Sequence, residues 1–270
     1  MRRPNISFGE LTRRLVDKCA TTWGDSYPAW PWYADECERL LSFIDARRQL
    51  ERFWPRLCSR PQQRDEALNE IRVAHFLDRC GYPVIGWEVT DAPPYNVEFE
   101  VSLGHGPNAL VEVKSPGWEA ELSEQELKEG RAKQEKYVGI EGRFSDPIGV
   151  IRRTVKKALP KFTGMAPSLI VISDDCRVPL VDWAWGPPMM ALTQRSIAYG
   201  DGLFHNPDYA TIGGVCLFWL SEAGVDYATI CIANPNAMAS AALPEDMLAR
   251  ICAVPEPPPQ IIEDENFPWF

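Results

Sequence analysis

Apolar and polar positions follow helical spacing over three stretches of the chain and strand spacing over several shorter ones. From about Ala34 to Trp54, Leu40, Leu41, Phe43, Ile44 and Leu50 make an apolar stripe, with Pro55 expected to end or kink the helix. A second helix is predicted from about Gln62 to Cys80, with Leu68, Ile71, Ala74, Phe76 and Leu77 on its apolar side and Gly81 at its stop. A third starts at Asp146-Pro147, where IGVIRRTVKKALPKF sets Ile148, Ile151, Val155 and Leu159 on one face and Arg152, Lys156 and Lys157 off it.

Strands are expected at Pro83–Glu88, Asn96–Leu103 and Ala109–Lys114, the last two joined by the turn GHGPN. Their alternation sends Val97, Phe99 and Val101 to one side and Asn96, Glu98 and Glu100 to the other, and likewise opposes Val111 and Val113 to Glu112 and Lys114. A hairpin centred near Gly106 would set Glu98 across from Lys114 and Glu100 across from Glu112, so that four charged groups share one face. Ser168–Ser173 (SLIVIS) lacks alternation, as a strand buried on both faces does. Val215–Leu220 and Tyr227–Ala233 read as a hairpin turning at Glu222–Gly224. Glu119–Tyr137 is highly charged and reads as a surface helix or loop. VPEPPPQIIEDENFPWF at the end is an acidic, proline-rich tail that composition does not commit to structure.

The 270 residues can bury one continuous core, and 45% hydrophobic with 24% charged residues is a globular balance. No apolar run approaches the roughly 20 residues of a membrane helix. The first residues carry no export signal, so a cytoplasmic setting is expected. Eight cysteines without C-x-x-C or zinc spacing read as reduced thiols, and three scattered histidines give no support to a hydrolase triad. The formal charge of −10 argues against a protein that coats nucleic acid. It is unevenly spread, however. Residues 1–65 carry +3 and 151–180 carry +4, whereas 66–150 carry −8 and 181–270 carry −9. One basic island holds Arg48, Arg52, Arg56, Arg60 and Arg64 at four-residue intervals, and the other holds Arg152, Lys156, Lys157 and Lys161. Each is either a solvated face or a surface for a phosphate backbone. Ten tryptophans, including Trp30, Trp32, Trp183 and Trp185, suit packing first and base stacking second.

An acid-x-Lys tripeptide is unspecific by itself, and Glu126-Leu127-Lys128 is a second example. Glu112-Val113-Lys114 differs in ending a strand whose neighbour bears in-phase carboxylates, after a helix whose Glu70 can reach the same sheet end. Carboxylates drawn together with a single ammonium repel one another, and a hard divalent cation such as Mg²⁺ or Mn²⁺ relieves that repulsion. The plainer reading is a hairpin's wet face with one cross-strand charge pair.

The succession of Glu70 on a helix, Glu98 on the second strand, VEVKSP on the third, then KKALPKF and SLIVIS resembles the PD-(D/E)xK nuclease superfamily, over roughly residues 62–175. The resemblance implies an α/β, restriction-endonuclease-like αβββαβ core with a mixed sheet. Residues 1–61 would then be an N-terminal helical extension, 62–175 the core, 176–253 a strand-containing addition packed on it, and 254–270 the tail. It further implies a Mg²⁺- or Mn²⁺-dependent phosphodiester hydrolase of bacterial or phage type, acting on nucleic acid, DNA ahead of RNA, in defence, restriction or repair. Glu98 and Glu112 would ligate the metal, and Glu70 would do so directly or through water. Lys114 would orient the attacking water. Arg48, Arg52, Arg152, Lys156, Lys157 and Lys161 would face the nucleic acid. A homodimer would suit double-strand cleavage, and the acidic, aromatic-ended tail would suit a protein partner. Members usually carry Asp on the second strand, whereas Asn96, Glu98 and Glu100 stand here. The alternative is therefore a catalytically inactive relative that binds protein or nucleic acid.

Overall fold

The computed structural model describes residues 9–19, 31–116, 147–173, 186–196, 200–220 and 227–252. Seven helices lie among them: α1 (Glu10–Lys18), α2 (Pro31–Ala46), α3 (Leu50–Leu57), α4 (Pro61–Arg79), α5 (Pro147–Ala158), α6 (Gly186–Leu192) and α7 (Glu245–Ile251). A six-stranded sheet runs in the order β1 (Val84–Ala92), β2 (Tyr95–Val101), β3 (Ala109–Lys114), β4 (Ser168–Ser173), β7 (Gly214–Leu220), β8 (Tyr227–Ala233). Two residues each of β5 (Arg195–Ser196) and β6 (Gly200–Asp201) form a separate ribbon. β1, β2 and β3 are antiparallel, β3, β4 and β7 are parallel, and β7 and β8 are antiparallel, so the sheet is mixed.

β4 is buried along its whole length because it is central and covered twice: all six of its residues are buried. Leu169 and Val171 join the cluster under α1, α2, α3, α4 and α7, while Ile170 and Ile172 join the cluster under α5 and α6. The sheet is thus the middle of three layers, and β7 and β8 continue it rather than forming a sheet of their own. α4 opens with Pro61 at a position that needs no backbone N–H, and Ile71, Ala74 and Leu77 pack it onto the sheet.

The stripe expected to form one helix from Ala34 to Trp54 is divided between α2 and α3. Arg48 adopts a left-handed backbone (φ 58°), and the N–H groups of Arg48 and Gln49 close back onto Asp45 and Ile44. Pro55 sits inside α3 rather than ending a helix. The β2–β3 register also differs from expectation. Phe99 pairs with Val111 and Glu100 with Leu110, which continues to Glu98 opposite Glu112. The loop is two residues longer than a hairpin centred on Gly106 provides, with Gly104 and Gly106 both at positive φ in open space. A two-residue slip keeps every side chain on its predicted face.

A buried polar chain fixes where α4 meets the end of β3. Arg72 donates to both oxygens of Glu36 at 3.0 Å and to Asn69 at 2.8 Å, Tyr227 donates to Glu36 at 3.1 Å, and Asn69 donates to Ser115 at 3.0 Å. Arg64, wholly buried, donates to the carbonyls of Leu57 and Ser59 and ties α3 to α4. The turn expected at Glu222–Gly224, the charged stretch 119–137, Trp30, Trp183, Trp185 and the tail lie outside the described residues.

Candidate active site

Two carboxylates and two ammonium groups meet where β2, β3 and the turn after α5 converge. Glu112 faces the α5 layer from an interior strand, and although alternation alone would leave it wet, its side chain is fully buried. Its Oε1 lies against the Lys114 ammonium and 2.6 Å from Lys161 Nζ. Its Oε2 is buried and, among the described residues, has no hydrogen-bond partner. Glu98 Oε1 stands 3.8 Å from the same Lys161 Nζ. Of the three second-strand candidates only Glu98 enters this group: Asn96 accepts from Thr90, and Glu100 accepts from Asn108 at 2.8 Å.

Lys161 is delivered by the tight turn Leu159–Lys161, stiffened by Pro160. Immediately beyond it, the backbone N–H and the hydroxyl of Thr163 donate to the Asp91 carboxylate of β1 at 2.7 to 3.0 Å, and Phe162 is buried. The ammonium therefore reaches the carboxylates from a fixed base.

Glu70 approaches from the other layer. Arg56 of α3 clasps it with two parallel hydrogen bonds of 2.5 and 2.6 Å, a planar fork that occupies both carboxylate oxygens. The three carboxylates are close enough to feel one another. Burial, then the charges of Glu70 and Glu112, push Glu98 up to about 7 against the opposing pull of Lys161 and Lys114. Burial also raises Glu70, which Arg56 opposes and Glu112 reinforces. Burial alone would lower Lys114, but Glu112, Glu98 and Glu70 outweigh it and hold the ammonium above its usual range.

Among the described residues no three His, Cys, Asp or Glu side chains are gathered as one metal ion requires. The expected set Glu70, Glu98, Glu112 is not assembled, because Glu70 is turned into Arg56. A divalent cation is fitted by two of the three: Glu98 and Glu112 offer hard oxygens, and the buried Oε2 of Glu112 accepts no hydrogen bond from the described residues. The expectation of one ammonium among several carboxylates is also corrected. Three bases, Arg56, Lys114 and Lys161, face the three acids Glu70, Glu98 and Glu112, with both lysines on Glu112. Arg56 was visible only as one member of an arginine series, and its partner lies 14 residues on across the α3–α4 turn. Lys161 was readable as basic but not as inward-facing, since the 3-10 turn that redirects it breaks the helical period of α5.

The remaining basic candidates are dispersed. Arg48 is exposed at the break between α2 and α3. Arg52 pairs with Glu88 at 3.2 Å and stacks near Phe53 and Trp87. Arg152 donates to the carbonyls of Met190, Ala191, Gly200 and Asp201, bracing α6 and β6. Lys156 and Lys157 are exposed on α5, the helix that leads into Lys161. The described cysteines are free thiols, Cys216 and Cys231 facing each other at 3.1 Å across β7 and β8. No described helix is long and apolar enough to cross a membrane. Compared with protein-family models, curated proteins and solved structures, the chain finds no match.

Proposed function

We propose that the protein is a divalent-metal-dependent nuclease of the PD-(D/E)xK kind, hydrolysing phosphodiester bonds of nucleic acid, DNA ahead of RNA. The observation that carries this reading is the convergence of Glu98, Glu112 and Lys114 at one sheet end, with a buried Glu112 oxygen that accepts no hydrogen bond from the described residues. The order α4, β1, β2, β3, α5, β4, with an antiparallel meander feeding a parallel crossover, supports the αβββαβ part of it. Glu98 and Glu112 would hold Mg²⁺ or Mn²⁺, which supplies Lewis acidity and an activated water. The Lys114 ammonium, kept protonated by its carboxylate neighbours, orients that water and offers positive charge to the phosphate as negative charge builds up. Glu70 holds Arg56 rather than metal. Arg56 keeps its outer edge partly exposed beside the site, where a guanidinium can meet a phosphate oxygen. Lys156 and Lys157 add a weak, salt-sensitive contact to the backbone of the substrate.

A second reading, a catalytically inactive relative that binds protein or nucleic acid, is favoured by the equal number of acids and bases, Arg56 on Glu70 and both lysines on Glu112. One experiment separates the two. Purified protein is incubated with linear, circular and single-stranded DNA in Mg²⁺, Mn²⁺ or EDTA, beside Glu112→Ala and Lys114→Ala. The nuclease reading expects metal-dependent cleavage that falls at least ~100-fold in both variants. Absence of cleavage, together with no thermal shift on adding metal, overturns it in favour of the binder.

A further inference from the structure

We infer that Lys161 is a tethered counter-ion that competes with a divalent cation for the Glu98–Glu112 pair, so that this lysine sets the metal affinity of the site. The inference rests on the metal-dependent reading above. Its ammonium stands 2.6 Å from Glu112 Oε1 and 3.8 Å from Glu98 Oε1, the position from which one cation neutralises both carboxylates. A divalent cation held by the same two carboxylates would lie beside that position, whichever Glu112 oxygen it took. It would also repel an ammonium left beside it in a poorly solvated site.

The two lysines are not equivalent. Lys114 lies two residues from Glu112 on the same strand and is drawn to that carboxylate. Lys161 comes from a different layer and touches both acids. Its base is fixed by Pro160, by the buried Phe162 and by the Thr163 contacts to Asp91, so only the flexible side chain has to withdraw. With Lys161 in place the paired charges balance without a metal. With a metal bound, Lys161 is the group in excess, and its four-carbon stem lets the ammonium swing toward solvent.

The test is Mn²⁺ binding to the full chain by calorimetry and by the metal-induced rise in melting temperature, for wild type, Lys161→Met, Lys161→Gln, Lys161→Arg and Glu112→Gln. Removing the ammonium is expected to tighten Mn²⁺ binding about tenfold or more and to enlarge the thermal shift. Lys161→Arg, which keeps the charge, stays near wild type, and Glu112→Gln loses binding. Two charge-removing variants are carried so that a folding defect in one leaves the other to read. Equal or weaker Mn²⁺ binding in Lys161→Met and Lys161→Gln, with Glu112→Gln still abolishing it, overturns the counter-ion role and leaves the metal site standing. No Mn²⁺ binding by wild type or by either variant overturns the metal site itself.

Discussion

Glu98 sits among two like charges and two opposite ones, and burial tips the balance toward its protonated form. Its ordinary value near 4.5 in the unfolded chain rises to about 7 on folding. Between those values the folded state binds the extra proton, so stability is lost as pH rises through this window and is level above it. Glu98→Gln carries no charge at any pH. In EDTA, its stability relative to wild type should therefore improve by on the order of 2 kcal/mol from pH 5 to pH 8. Parallel melting curves against pH would show that Glu98 is solvated instead. Arg56 and Glu70 make the complementary case of an arginine fork around a buried carboxylate. Arg56→Met strands that carboxylate and should cost about 3 kcal/mol in urea denaturation, most of it recovered by Arg56→Met with Glu70→Gln. A loss within about 0.5 kcal/mol would mean that Glu70 is free to serve elsewhere.

At the scale of elements, α5 carries two different jobs on one helix. Arg152 reaches four backbone carbonyls of α6 and the β6 ribbon, whereas Lys156 and Lys157 point to solvent. Arg152→Ala should lower stability by about 1–3 kcal/mol through orphaned carbonyls, with the proposed metal-dependent DNA binding unchanged at temperatures where it is folded. A selective loss of DNA affinity without a change in melting temperature would instead make Arg152 a substrate contact. That distinction was invisible in the sequence, where all three residues simply lie off an apolar stripe. The strands were legible because β2 and β3 alternate and β4 does not. Their register was less so, because loop length and not side-chain pattern decides it, and Gly104 and Gly106 allow either. The break at Arg48 was hidden, since a non-glycine residue in a left-handed conformation leaves no mark in hydrophobic spacing. Helices α1, α6 and α7 are seven to nine residues long, too short for the period to stand out.

Across the whole molecule, the net charge of −10 becomes easier to reconcile with the proposed polyanionic substrate once its acids are located. Glu36, Glu70, Glu98 and Glu112 are each held against basic side chains inside the fold and present little negative field outward. The exposed Lys156 and Lys157 lie on the layer that supplies Lys161, so the basic surface and the carboxylate pair share one side of the sheet. The element order was legible in the sequence because two helical periods and the strand patterns between them mark it. The counter-ions were not, because Arg56 and Lys161 reach the site from two layers that meet only in the folded chain. The most direct measurement is the single-turnover rate of DNA cleavage as Mg²⁺ is titrated, for wild type and a folded Glu112→Gln. A saturable, EDTA-sensitive rate in wild type that drops at least ~100-fold in the variant is the predicted result. A wild-type rate indifferent to metal, or equal in the variant, would contradict it.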